Sequence, residues 1–239
     1  FLVWDWEGAE TSFLRAIELD PNFADVRAGY SSFLMKMRRP DEAMVQIARA
    51  LELDPLSPNL QSAYGARLFR TGRVDDAIEH FHKVLRTDPH HQGALAALPS
   101  AYYVKGMYEE AYQAMKAQAG FRGGQEAVEA MERGYAEAGF KGAMRREAER
   151  RAARSGTAYV VPCGVARQFA MAGMNQEALD WLERALEKRD LNVLGIGVDP
   201  VWGGLQDEPG FLFMVRRVSL GDVVLAGEVF EVGVGDGGS

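Results

Sequence analysis

The sequence contains a single cysteine, Cys163. One thiol excludes an intrachain disulfide framework and argues against a thiolate metal cluster. There is no apolar run near the roughly 18 residues that suggest a membrane span, so no membrane partner is expected, and the chain is expected to be cytoplasmic. Histidine is also scarce, with four in 239 residues. His80 and His82 stand two apart on a helix and point away from each other. His90 and His91 fall in a turn, and no pair has i, i+4 helical spacing. No metal site is therefore expected. Positive charge is in deficit, 27 Lys and Arg against 34 Asp and Glu for a net charge of -7. That balance argues against nonspecific nucleic-acid binding, which depends on cations meeting phosphates. The locally basic run Arg145 to Arg154 is interleaved with Glu147 and Glu149 and reads as a solvated helix face.

Signatures of catalysis are missing as well. The stretch Gly120 to Gly124 lacks the Lys-Ser/Thr ending of a phosphate-binding loop. Cys163 follows Pro162 near a helix start but has no histidine close in sequence, so it reads as a small packing residue. The carboxylate pairs Asp41-Glu42, Asp75-Asp76 and Glu109-Glu110 recur at one phase. They open second helices, where negative charge favours the positive end of the helix dipole. No catalytic residue, cofactor or metal is predicted, and the chain is expected not to be an enzyme.

A 34-residue period is what the sequence does contain. It is clearest from Pro58 to His91, where two amphipathic helices joined by a turn carry Tyr64, Gly65, Leu68, Gly72, Ala77, Phe81 and Pro89. The same template lies 34 positions earlier and later, and Asp20-Pro21, Asp54-Pro55 and Asp88-Pro89 punctuate it. Such a period means stacked units, each too small to bury its own apolar face. The predicted divisions are a half-repeat over 1–21 and repeats over 22–57, 58–91 and 92–124. A degenerate unit follows over 125–155, then a repeat over 157–190, a cap over 191–220 and a Gly-rich tail over 221–239. Pro99 is expected to kink or shorten its helix. The ending Leu191 to Gly204 reads as irregular, and Pro209 to Leu220 as a short helix turning Phe211, Leu212, Met214 and Val215 inward. The chain opens at Phe1, without Met and inside a half-repeat, and is expected to be part of something longer. Phe13 and Ile17 are then exposed, which predicts homodimerisation through this half-repeat as an alternative role.

The residues Tyr64-Gly65, Leu68, Gly72, Ala77, Phe81 and Pro89, with partial matches in four other units, resemble the tetratricopeptide repeat. The resemblance covers about Glu7 to Asp190. It implies an all-α, right-handed superhelical solenoid of about five helix-turn-helix units with a short C-terminal capping helix. More narrowly, Trp4-Asp5-Trp6-Glu7-Gly8-Ala9-Glu10, Gly134-Tyr135-Ala136-Glu137 and the ending from Val198-Asp199-Pro200 look like the C-terminal repeat arrays of multidomain bacterial signalling proteins. The function implied is a non-catalytic scaffold that binds a peptide or helix of a protein partner.

One pattern lies outside the core template. Met35, Phe69 and Tyr103 recur at 34, each one position after a core residue. In the repeat geometry this phase looks into the concave groove, with Ser32, Ala66 and Ser100 keeping it open and Lys36 and Arg70 at its rim. An apolar ladder there suits a partner peptide or helix. The predicted partner-binding groove is therefore Ser32, Met35, Lys36, Phe69, Arg70, Ser100 and Tyr103. Lys and Asn do not occupy the positions of a carboxylate clamp, which argues against a chaperone-tail ligand.

Overall fold

The computed structural model describes residues 5–219. The expectations for Phe1 to Trp4 and for the Gly-rich tail 221–239 lie outside the described residues. Ten α-helices and two 3-10 turns make up the described chain. Helix α1 (Trp6–Leu19) is followed by the pairs α2 (Ala24–Lys36) with α3 (Pro40–Leu53) and α4 (Pro58–Arg70) with α5 (Val74–Thr87). Helix α6 (Gln92–Lys105) leads into α7 (Tyr108–Arg154), and α8 (Pro162–Ala172) pairs with α9 (Asn175–Glu187). Two 3-10 turns, Leu191–Val198 and Pro200–Leu205, precede α10 (Pro209–Ser219).

Local chemistry sets the helix ends. The Ser57 hydroxyl accepts the Leu60 N–H at 3.4 Å, and Pro58 occupies the first turn of α4, where its missing N–H is no loss. Asp20, Asp54 and Asp88 end α1, α3 and α5. The carboxylates of Asp20 and Asp88 then accept backbone N–H groups two residues on, at 3.0 and 3.2 Å, the local turn that Asp favours. The turn after each first helix is tighter. Arg39, Arg73, Met107 and Met174 each donate an N–H five residues back, at 2.9 Å. Such a bond requires a left-handed residue just before the donor. Gly72, Gly106 and Gly173 supply it at φ of 82°, 81° and 79°, whereas Arg38 holds the equivalent place at 58°.

Small residues let the helices close on one another. Ala43, Ala77, Ala111, Ala143 and Ala178 are completely buried, as are Phe81 and Leu182. Ala143, out of phase in the sequence, comes into contact because α7 is not one rod. It breaks at Gly124 and again at Ala138–Gly139. Its second and third segments then cross backbone on backbone. A methyl group on Gly134 would stand 2.2 Å from the Gly142 carbonyl oxygen, and one on Gly142 would stand 2.0 Å from that of Gly134.

Several expectations need correction. Pro99 does not shorten α6, which runs on to Lys105. Proline removes the N–H that would reach the Leu95 carbonyl, and the Gln118 side chain on α7 donates to that carbonyl instead. Phe13 is not left bare, because its ring stacks on Tyr30 at 5.6 Å and meets Phe33 at 5.7 Å. Leu212 on α10 does not turn inward and is 44% exposed, while Phe211, Met214 and Val215 are buried. His91, read from the sequence as a turn residue, is buried: its Nδ1 accepts the Ala94 N–H at 3.1 Å, and its Nε2 lies 3.0 Å from Asn59 Oδ1.

The segment read as irregular has a definite place. Successive first helices touch one another, α2 on α4 and α4 on α6, and so form the inner layer of the solenoid. The two 3-10 turns return to that layer and pack on α2, α6 and α8.

Gln118→Leu is expected to cost about 1–3 kcal/mol in urea denaturation, because it strands the Leu95 carbonyl. In a Pro99→Ala background the restored N–H should remove most of that cost. Equal losses in the two backgrounds would mean that the glutamine does not replace the missing bond.

Candidate functional site

The inner layer brings the predicted residues together but does not leave them open. Met35 is 1% exposed and Phe69 is 6% exposed. Val198 packs against the apolar cluster that holds Met35, and Val201 against the one that holds Phe69. The expectation of an open apolar ladder is corrected at these two positions, since the chain's own segment 191–205 comes down on this face. Tyr103 is half-buried and turned toward α7, stacked on Phe140 at 5.5 Å and tilted against Tyr108 at 6.1 Å. Ser32 is half-buried and Ser100 is buried.

Lys36 and Arg70 are half-buried. Burial pulls the Lys36 ammonium down in pKa, and the charges of Arg70 and Arg67 add to the effect. Burial also lowers the pKa of Arg70, opposed by Asp199. A methyl group on Gly195 would stand 3.4 Å from Arg70 Nη1, so the returning segment crosses this side chain. Arg67 is buried, and its Nε donates to Ser31 Oγ at 2.9 Å. Burial first, then the neighbouring Arg70, pulls the Arg67 pKa down to about 10. Sequence reasoning passed over Arg67. Its signal was a charged residue 34 positions from the apolar Phe33 and Ala101.

One acid acts on Arg70, and it is held by a further arginine. Asp199 Oδ2 accepts from Arg167 Nη1 at 2.6 Å, while Arg167 Nη2 donates to Ser100 Oγ at 2.9 Å. The ion pair therefore ties α8, α6 and the returning segment together. Burial pushes the Asp199 carboxyl up in pKa. The Arg167 charge and hydrogen bond, the Val201 N–H and the field of Arg70 outweigh it and hold the pKa below the ordinary carboxylate value. Beside Ser100 and Arg167 a cavity of about 450 Å³ opens between α6, α7 and α8.

Burial and the charge of Asp190 push the Cys163 thiol up to about 12, far from the reactive thiolate. Its N–H donates to Asp190 at 3.0 Å, a structural contact. His82 Nε2 lies 2.8 Å from the Tyr102 hydroxyl. Among the described residues no group of three or more His, Cys, Asp or Glu is placed to hold a metal. No described helix is long and apolar enough to cross a membrane.

The sequence model described as tetratricopeptide repeat matches residues 5–66 and 68–134. The chain belongs to the tetratricopeptide repeat family. Such arrays are interaction scaffolds rather than catalysts, and this chain is a scaffold for protein–protein interaction. Among solved structures, the crystal structure of MamA is 16% identical over 79% of this chain and 91% of that chain, with a TM-score of 0.43. A second MamA structure is 17% identical over 77% and 83%, with a TM-score of 0.41. PilW, described as a widely conserved type IV pilus biogenesis factor, is 17% identical over 90% of this chain and 86% of its own, with a TM-score of 0.47. No curated protein matches the chain.

Asp199→Asn keeps the shape and removes the charge that Arg167 faces. It is expected to cost about 2–3 kcal/mol at pH 7, as losing a charged hydrogen bond does. A carboxyl whose pKa is lowered by folding stabilises the fold above its unfolded pKa of about 3.9 and loses that contribution as pH falls through the folded value. The stability gap between the parent and Asp199→Asn should therefore narrow between pH 7 and pH 3 in urea titrations. A gap independent of pH would remove the ion pair from this role.

Proposed function

We propose that this solenoid binds a peptide or helix of a partner protein along its concave face. The recognition row is Met35, Phe69 and Tyr103, with Ser32, Ser100, Lys36 and Arg70 beside it. One observation carries the reading: the face already holds non-repeat polypeptide. The segment 191–205 sets Val198 and Val201 in apolar clusters and Asp199 on a cation. A surface that packs this segment has the apolar pockets and the charge to pack a similar one from another protein. The partner reaches the row by displacing the segment, so the Arg167–Asp199 pair opposes binding. The sequence resemblance to bacterial signalling arrays supports a place in a larger protein of that kind.

The test is a random dodecapeptide phage library panned on the chain, with selected peptides titrated by fluorescence anisotropy. Asp199→Asn should bind them about tenfold tighter, because the competing segment is loosened, and Lys36→Glu should bind more weakly. Affinities that ignore both changes would mean that the row is not the recognition surface.

Self-association is the second reading, favoured by Leu14, Leu19 and Phe23, which stand exposed on the first hairpin. Sedimentation equilibrium should then show a dimer that weakens with Leu19→Lys. A monomer at every concentration rejects it.

A further inference from the structure

The cavity beside Arg167 lies outside the predicted row, although Ser100 lines both. Its size falls in the range of specific ligand pockets, roughly 300–1,000 Å³. The lining divides by chemistry. Met115, Met131, Met144 and Met171 supply an apolar part, and flexible thioether chains adapt to whatever apolar group enters. Arg150, Arg151, Arg154 and Arg167 supply the charge, against one lining carboxylate, Glu147. Tyr159, 83% exposed, is also part of the lining.

These arginines are only partly answered. Glu147 takes the Nε and Nη2 of Arg150 at 2.7 and 2.8 Å. The remaining Arg150 Nη1 is buried with no acceptor. Among the described residues Arg151 makes one hydrogen bond, to the neutral Gln168 oxygen at 3.3 Å. Among the described residues no carboxylate forms an ion pair with Arg151 or Arg154. Burial lowers the Arg151 pKa, and the adjacent Arg150 adds to this against the pull of Glu147. A buried cationic donor left unmatched is costly, and an incoming carboxylate removes that cost.

The chain also shows what fits beside these groups. On Arg167 the occupant is Asp199, and Val201, two residues on, is buried in the neighbouring core. An acidic residue followed by an apolar one is thus the chemistry already in use at the edge of the cavity.

We infer that the cavity is the anchor pocket for an acidic segment of the partner protein. An Asp or Glu side chain sits on Arg150, Arg151 and Arg154, and an adjacent apolar residue enters among the methionines. This rests on the scaffold reading above and names the partner's chemistry. The dodecapeptide library tests it, since its peptides are joined to the phage coat at their C-termini and offer side-chain carboxylates only. Selected peptides should be enriched in Asp or Glu next to Leu, Met or Phe. Their affinity should fall at least tenfold in Arg151→Gln/Arg154→Gln and severalfold in Arg154→Glu. The second variant changes an exposed side chain, so circular dichroism should show it folded. Peptides without acidic enrichment, or with affinity unmoved by Arg154→Glu in the folded protein, overturn the anchor pocket. If those same peptides weaken with Lys36→Glu, the scaffold reading survives alone. A library that yields no binder removes both.

Discussion

A hairpin of two short helices cannot bury its own apolar face, and everything else in this molecule depends on stacking one hairpin on the next. The stacking works only where helices approach closely. That requirement explains the completely buried Ala43, Ala77, Ala111 and Ala178. It also explains the recurring left-handed turn, which closes each first helix before the chain reverses. Arg38 shows that the turn geometry is imposed by the stack, because it holds a conformation there that glycine adopts more readily.

The middle of the array meets the same requirement by other means. Gly134 and Gly142 bring two backbones together where a regular unit would use alanine against a larger neighbour. Pro99 gives up a helical hydrogen bond, and Gln118, far along the next helix, takes its place. The glycine contact flanks the break of α7 at Ala138–Gly139, and Pro99 and Gln118 line the cavity between α6, α7 and α8. The irregular unit is thus where the solenoid departs from its own period and where it leaves space.

Charge is organised on the inner layer in a way its overall acidity conceals. The chain carries a net charge of -7, yet Lys36, Arg67, Arg70 and Arg167 gather on the first helices, with Asp199 paired to Arg167 and acting on Arg70. Exposed acids elsewhere pair locally, as Glu42 does with Arg39 and Asp76 with Arg73.

Much of the fold was legible in the residues. Tyr64, Gly65, Ala77 and Phe81 act within one or two helical turns of each other or on the adjoining hairpin, and a fixed period repeats those contacts. The same locality made the helix caps and the Asp-Pro turns readable. The candidate site was legible only in part. The phase of Met35, Phe69 and Tyr103 placed them on first helices, but periodicity says nothing of what lies above a face. Segment 191–205 belongs to no repeat, so no spacing announced that Val198 and Val201 would come down beside residues more than a hundred positions earlier. Arg167, Ser100 and Asp199 likewise meet across 32 and 67 residues. The sequence by itself determined the repeating helices, their caps and the family. Tertiary structure alone decided that Met35 and Phe69 are covered, that Arg67 is buried with Lys36 and Arg70 half-buried beside it, and that a cavity lined by arginine and methionine opens nearby, because those outcomes depend on contacts between segments that share no period.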